Sequence, residues 1–333
     1  MKKTALILLA LLQGGVVAPA AGTPCRRWFV EASLAGALLD PSGLNERADA
    51  QERLTAFNYR ENYEWARRSG GGAFSYTLDE PAGSGLARIR AGVPVTVRLG
   101  RAVSRRVAVF VGLQFLARGR ASTLQQSFQV SDRRPDQVMP GDFAVSISYP
   151  DFFLRARAWI PLLGATFDLV KRRSWTGGVR LAAGPMFASL RIIEQRLLRK
   201  TEADGYWSES RYRFDMKGRG TGAAADAAVF LALAVSPRLA LAVEGGYALR
   251  AAARFSGPGA YESQRRDPNA TEDPVRSQWP KGEWLTQPGE AHQPWGDLYY
   301  AQPGNYFAGT ANEKKFRLDL SGWQLALGLR FAL

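Results

Sequence analysis

The residues of this sequence with the clearest potential for chemistry are arginines that alternate with large apolar residues along several segments. Side chains at every second position share one face of an extended strand, so these arginines are predicted to face the same way. A guanidinium is a planar fork that binds a carboxylate or a phosphate with two hydrogen bonds. The pattern therefore predicts contact with anions. Eleven arginines share this face: Arg88, Arg90, Arg98, Arg118, Arg120, Arg155, Arg157, Arg180, Arg250, Arg254 and Arg330.

Four acidic residues are predicted on the same face, deeper than most of the arginines. They are Glu31, Asp168, Asp226 and Glu244. Unlike charges about 4 Å apart attract by roughly 4 kcal/mol at an intermediate dielectric, and like charges repel as strongly. These acids are therefore expected to form ion pairs in the interior. Eight arginines toward the other end still need an anionic partner: Arg88, Arg90, Arg118, Arg120, Arg155, Arg157, Arg250 and Arg254.

Two kinds of anion could cover these eight candidate anion-binding or loop-docking arginines. One is a soluble anionic ligand or an acidic partner. The other is the longest predicted loop, 256–315, whose clustered Trp and Tyr residues predict a packed cap or a contact surface. Its acids are Glu262, Asp267, Glu272, Asp273, Glu283, Glu290 and Asp297.

Residues for catalysis or metal binding are scarce. The sequence has one histidine, His292, and its spacing from Ser277 and Asp297 fits no nucleophile motif. The single cysteine, Cys25, is far from His292 in the sequence, so the two predict no metal site. We therefore expect no catalytic residue, no metal, no cofactor and no enzymatic activity.

The strands that must position the charged residues are clearest at the carboxyl end. From 323 to 333 the odd positions are large and apolar, and the even positions are polar or small. Eleven residues is about the length of a tilted strand that crosses a bilayer. We predict eight such strands, or ten if 143–149 is a separate one. The seven others cover 28–38, 89–99, 107–120, 152–169, 175–187, 226–235 and 239–254.

The fourth of these segments is irregular at Pro161. Beyond the proline, large apolar residues such as Leu163 and Phe167 occupy odd positions. This change of phase predicts a β-bulge at the proline, with Arg155 and Arg157 facing inward. Outward positions before it are predicted for Phe152, Leu154, Ala156, Ala158 and Ile160.

Short and long connections alternate between the predicted strands. The short ones are near 102–106, 171–174 and 236–238, and the long ones cover about 40–85, 121–141, 197–212 and 256–315. Outer-membrane barrels have short periplasmic turns and long extracellular loops. The fold class predicted is therefore an all-β, eight-stranded antiparallel up-and-down transmembrane β-barrel over 26–333, with long extracellular loops and both termini periplasmic.

The amino terminus indicates export. Lys2 and Lys3 precede an apolar run and then small residues, which is the pattern of a signal peptide over 1–20, cut after Ala20 or Gly22. Because this signal directs the chain out of the cytoplasm, nucleic acid is not expected as a partner despite a net charge of +14.

The chain resembles the small outer-membrane barrels of Gram-negative bacteria, of the outer-membrane-protein A and X types. The carboxyl-terminal strand resembles the signal that the barrel-assembly machinery recognises, although it ends in Leu333 and not in an aromatic residue. The resemblance implies an outer-membrane location with lipid, lipopolysaccharide and that machinery as partners.

Three functions remain open at this point. The first is a structural or cell-surface interaction role, with a plugged, ion-paired lumen and loops that could bind an extracellular protein or glycan. The second is a narrow anion-preferring pore or an anion-binding receptor that uses the outer arginines. The third is a lipid A-modifying enzyme, which would need His292.

Overall fold

A computed structural model of the chain describes residues 28–39, 44–45, 47–49, 51–52, 74–78, 82–83, 85–86, 88–132, 142–172, 174–202, 204–287, 297–301 and 314–333. The predicted signal peptide, Cys25 and His292 lie outside this part of the chain. The strands are β1 (Trp28–Leu38), β2 (Phe74–Leu78), β3 (Ala82–Gly83), β4 (Ala91–Ala102), β5 (Val107–Asp132), β6 (Asp142–Lys171), β7 (Trp175–Glu202), β8 (Trp207–Ala234), β9 (Leu239–Arg266), β10 (Val275–Gln287), β11 (Asp297–Ala301), β12 (Lys314–Lys315), β13 (Arg317–Asp319) and β14 (Gly322–Ala332). The described residues between 44 and 52 are helical. Within the described ranges, no helix has the length and apolar character needed to span a membrane.

Strand pairing closes the antiparallel sheet on itself. β1 pairs with β14 on one side and with β4 on the other, so that Leu34 lies between Leu327 and Val95. From β4 onward each strand pairs with the next in chain order as far as β9. β9 then pairs with β14. The result is an all-β, up-and-down ring.

Two of the connections that join neighbouring strands of the ring have the same local chemistry. Ser104 follows β4, and its hydroxyl accepts a hydrogen bond from the Val107 amide at 3.0 Å. Ser236 follows β8 and accepts one from the Leu239 amide at 3.1 Å. A serine that satisfies turn amides in this way favours a tight reversal.

The strands on one side of the ring are much longer than predicted. β6 has 30 residues and β7, β8 and β9 have 28 each, whereas a tilted strand crosses a bilayer in about 9–11. Much of the predicted loops is therefore strand: β5 continues into 121–132, β7 and β8 cover most of 197–212, and β9 continues to Arg266. Within the predicted loop 256–315, β10 pairs with β9 and β11 pairs with β10.

Apolar and charged side chains occupy opposite faces of the ring. Leu327, Val97 and Leu241 are exposed on the outside, whereas Arg98 and Glu244 are buried inside. The same order holds on β7, where Leu181 is exposed and Arg180 is buried. This arrangement is the opposite of that in a water-soluble protein, because large apolar side chains cover the outside and ionic groups fill the interior.

The predicted orientation of β6 before Pro161 is wrong. Pairing with β7 keeps one register from Trp159–Phe187 to Leu163–Ala183, so no bulge occurs at the proline. Register shifts lie instead between Ser148 and Asp151 and between Asp168 and Val170. The residues predicted to face outward are buried inside the ring: Phe152, Leu154, Ala156, Ala158 and Ile160.

The apolar face of β6 changes from inward to outward along the strand, because the surroundings of the strand change along its length. From Trp159 to Leu169 the outward residues are mostly apolar and exposed, but Arg157 and Arg155 occupy the next outward positions. The inward residues change in the opposite sense, from polar Thr166 to apolar Leu154. One end of the ring is thus apolar outside, and the other end has the water-facing exterior and apolar core of a soluble protein.

Candidate functional site

The charged centre of the ring is a closed cluster of two glutamates and three arginines. Arg98 donates to Glu31 at 2.7 Å and to Glu244 at 3.2 Å. Arg180 donates to Glu31 at 2.9 Å and also to Glu244. Arg330 donates to Glu31 at 2.8 Å. β1, β4, β7, β9 and β14 each supply one member, so the cluster ties together strands from around the ring.

Aromatic rings line this cluster. The Arg180 guanidinium lies 5.4 Å from the ring centroid of Phe230 and 5.8 Å from that of Phe110. Arg330 lies 4.8 Å from the Phe29 ring, and a side chain at Gly100 would collide with that same ring. Glycine at 100 therefore leaves the space in which Phe29 covers the cluster. The rings add cation–π attraction and exclude water from the ion pairs.

A second polar layer is built around Arg250, which is fully buried. It donates to Gln324 at 2.8 Å, to Gln114 at 3.1 Å and to Asp226 at 3.4 Å. Gln114 in turn donates to Thr96 at 3.1 Å. The layer spans β4, β5, β8, β9 and β14, and it fills the interior with hydrogen-bonded side chains that have little freedom to move.

Beyond Arg250 the interior is an apolar core that residues of the first connection enter. Leu44 and Ala48 of the helical segment are buried in this core with Ile89. Asn45 joins the helical segment to the backbone of Ile89. Its side-chain amide donates to the Ile89 carbonyl at 3.0 Å, and its side-chain oxygen accepts from the Ile89 amide at 2.8 Å. Arg47 reaches the wall of the ring, where it lies 2.9 Å from buried Glu194.

Arg88 fastens the same helical segment. Its guanidinium contacts the carboxylates of Asp49 and Glu52. Partial burial acts to lower the pKa of Arg88, but the hydrogen bonds to Glu52 and Asp49 outweigh it and raise that pKa above its usual value. An arginine predicted to need an anionic cover thus receives one from the first connection.

Among the described residues of the last predicted loop, 256–315, the acids do not pair with the outer arginines. Glu262 pairs with Arg276 at 3.2 Å, and Glu283 lies 3.9 Å from Lys315. Asp267 accepts a hydrogen bond from Tyr206 at 3.0 Å, and the backbone amides of Asn269 and Ala270 lower its pKa. Glu262 thus pairs within the β9–β10 hairpin, and Asp267 and Glu283 contact residues of other extended segments. Glu290 and the side chain of Asp297 are outside the part of the chain that the structure describes.

The other predicted outer arginines are not gathered into one ring. Arg250 alone is deep in the interior. Arg90, Arg118 and Arg120 are exposed. Arg254 occupies a β-bulge with φ of 57°, opposite a register shift in β8, and it is exposed as well. Its predicted inward position assumed unbroken alternation in β9, which the extra residue of the bulge interrupts.

Arg155 and Arg157 are corrected from inward to outward positions. Their neighbours Leu154, Ala156 and Ala158 are buried inside the ring, so the two arginines project from its exterior. Of the four predicted acids, Glu31, Asp226 and Glu244 are buried, and Asp168 lies at the end of the ring near Lys171 at 3.8 Å.

Sequence reasoning missed two sets of charged residues. Asp49 and Glu52 were not singled out as partners of Arg88, although their i, i+3 spacing on a helix places them on one face. Arg191, Lys217 and Arg219 were assigned no role. The alternation of β7 beyond Phe187, and of β8 before Thr221, places these three residues on the outside beside Arg155 and Arg157. That alternation is the sequence signal by which they could have been found.

No protein-family model and no curated protein matches this chain. Among solved structures, it is similar to the crystal structure of the outer membrane protease OmpT from Escherichia coli. The identity is 10% and the TM-score is 0.31, and the match covers 95% of this chain and 99% of that chain. That structure is of an outer membrane protein, and the comparison gives no indication of the A and X types.

The comparison corrects one expectation from the sequence. The similar outer-membrane protein is described as a protease, so the expectation that this chain has no enzymatic activity is withdrawn.

Proposed function

We propose that this chain is an eight-stranded outer-membrane β-barrel with a plugged lumen, and that its long extracellular walls serve a structural or cell-surface interaction role. The observation that carries the proposal is that apolar and polar side chains exchange the outer and inner faces along the ring. At one end apolar residues cover the outside and ion pairs fill the inside, and at the other end the order is inverted.

The apolar part of the exterior is long enough to cross a bilayer, which a tilted strand crosses in about 9–11 residues. On β7 the outward residues from Trp175 to Phe187 are apolar, with Thr176 and other polar positions turned away. An apolar band about 25 Å tall, with aromatic residues at both margins, is the mark of an outer-membrane barrel. Trp175 lies at one margin, and Phe187 and Trp159 lie at the other, where Trp159 also packs 4.3 Å from Phe115 between ring centroids.

The lumen within that band has no room for a wide channel. An eight-stranded ring is only wide enough for side chains to fill. Here the cluster of Glu31 and Glu244 with three arginines fills one level, the layer around Arg250 fills the next, and the apolar core closes the interior beyond the band.

The walls beyond the band offer the surface for partners. With the short turns in the periplasm, as in outer-membrane barrels, these walls and the docked helical segment would lie outside the cell. The exposed hairpin of β9 and β10 and the segment around Trp207 could meet an extracellular protein or a glycan. The carboxyl-terminal strand β14 would meet the barrel-assembly machinery before the ring closes.

Planar-bilayer recording of the refolded full chain tests the plugged lumen. We expect no current steps, or only very small ones, because ions would have to displace five mutually paired charges, four of which are buried. The matched variant is Arg98→Ala with Arg180→Ala, which removes two plugging side chains from the same level and should raise the conductance. Large steps with chloride preference in the unmodified protein would replace this proposal with an anion-preferring pore.

A further inference from the structure

The exterior of β6–β9 carries a dense cationic patch directly beyond the apolar band. Arg157, Ser189 and Arg219 are paired in one cross-strand row, which Ser256 continues on β9. Arg155, Arg191 and Lys217 form the next row. Residues opposite each other on neighbouring strands hold their Cβ atoms about 4.5–5.5 Å apart. Five cationic side chains thus share one small area.

The charges of this patch are poorly balanced within the described part of the chain. Asp215 accepts two hydrogen bonds from Arg191, at 2.9 and 2.6 Å. No salt bridge of the described residues includes Arg155, Arg157, Lys217 or Arg219. Like charges directly opposite each other destabilise a strand pair, so an anion between the rows would relieve the repulsion.

The patch encloses a groove that could hold such an anion. Its volume is about 410 Å³, and its lining includes the five cations with Ser189 and Ser256. Guanidinium groups bind phosphate oxygens with paired hydrogen bonds, and serine hydroxyls can add further donors. The chemistry of the groove fits a phosphate group.

A second groove lies deeper in the apolar band on the same four strands. Its volume is about 450 Å³, and small residues such as Ala183, Ala225 and Ala227 form its floor between Leu163 and Leu249. Along β7, Ser189 is six positions beyond Ala183, which is roughly 20 Å of strand. One molecule with a phosphate at one end and acyl chains at the other could occupy both grooves.

We propose that the exterior of β6–β9 binds a phosphate-bearing lipid of the outer leaflet. The phosphate lies between the rows of Arg157–Arg219 and Arg155–Lys217, and an acyl chain lies in the groove over Ala183 and Ala225. The inference rests on the proposed membrane position of the ring, because only a bilayer at the apolar band places a headgroup at the level of the patch. It adds a specific lipid site to that position.

Binding of lipid A by the full chain tests the site. The probes are bisphosphorylated lipid A, the same lipid without phosphates, and inorganic phosphate, each added to the detergent-solubilised refolded protein and measured by native mass spectrometry. We expect the bisphosphorylated lipid to bind, and the double variant R157Q/R219Q to raise its dissociation constant by about 10–30-fold. The control R105Q/R106Q removes equal charge from the exposed turn at the other end of the ring and should change little.

Each other outcome overturns the inference. Equal loss in R157Q/R219Q and R105Q/R106Q, or equal binding of the lipid without phosphates, would show that the patch does not recognise the headgroup. Inorganic phosphate that binds as tightly as the lipid would make this a site for soluble anions. Protection from protease in vesicles is measured in parallel: a protein that inserts without this selectivity refutes the lipid site alone, and a protein that stays outside the bilayer refutes the proposed function as well.

Discussion

Replacing Glu31 with glutamine is expected to lower the free energy of unfolding by about 3–5 kcal/mol, because it leaves buried arginines without their counter-charge. Glu31 contacts Arg98, Arg180 and Arg330, and its side chain is almost completely buried. The amide of glutamine keeps the size of the side chain and removes its charge, so packing is nearly unchanged. Urea unfolding of the refolded protein in lipid vesicles measures the difference.

Two comparisons isolate the charge effect at Glu31. Glu244→Gln should be less costly, because Glu244 pairs with Arg98 and Arg180 but not with Arg330 in the cluster. Glu272→Gln, at an exposed position of the β9–β10 hairpin, should change stability by less than about 0.5 kcal/mol. Equal, small effects at Glu31 and Glu272 would mean that the interior cluster contributes nothing to the fold.

An arginine placed at Leu327 is expected to destabilise the protein by about 2–4 kcal/mol in a bilayer, since a charged side chain near the midplane must leave water. Leu327 is near the middle of β14 and is 59% exposed. Exposure alone would make the substitution harmless in a soluble protein. The cost therefore measures whether lipid covers this face, and unfolding in vesicles reports it.

Val275 provides the matched control for this substitution. It is 61% exposed, on the hairpin strand β10 outside the ring. Val275→Arg should alter the free energy of unfolding by less than about 0.5 kcal/mol, because water surrounds it in the proposed orientation. If Leu327→Arg and Val275→Arg had the same small effect in vesicles, the exterior of the ring would not be in contact with lipid.

The sequence predicted the inward and outward faces well at the end of the ring that has the apolar exterior, because one rule governs that end. Alternation placed Leu327 and Val97 outward and Arg98 and Glu244 inward, as the structure has them. In the proposed membrane position, each of these strands has lipid on one side and a side-chain-filled interior on the other, so polarity alone assigns the face.

The same rule failed on β6 because the strand leaves the apolar band. Beyond Trp159 the exterior becomes polar and an apolar core replaces the ion pairs inside, so polarity changes sides while the backbone alternation continues. A change of environment and a β-bulge produce the same sequence pattern at Pro161. The length of β6 distinguishes the two, because its 30 residues are far more than one crossing needs. Alternation alone does not give that length.

The candidate site was predictable in its members but not in its pairings. Glu31, Glu244 and Arg98 were identified as interior charges, but their mutual contacts depend on the stagger of β1, β4 and β9 around the ring. The docking of Asp49 and Glu52 onto Arg88 depends on a connection that re-enters the mouth. Neither feature leaves a periodic signal in the sequence.

Spin-label accessibility along β14 tests the central claim of lipid outside and a filled interior most directly. Single labels are placed at 323–329 in a background with Cys25 replaced, and the refolded protein is reconstituted in vesicles. Collisions with oxygen, which concentrates in lipid, should peak at Trp323, Leu325, Leu327 and Leu329 and fall to a minimum at Gln324, Ala326 and Gly328. Preferential collision of the odd positions with a water-soluble nickel complex would place this face in water and contradict the account.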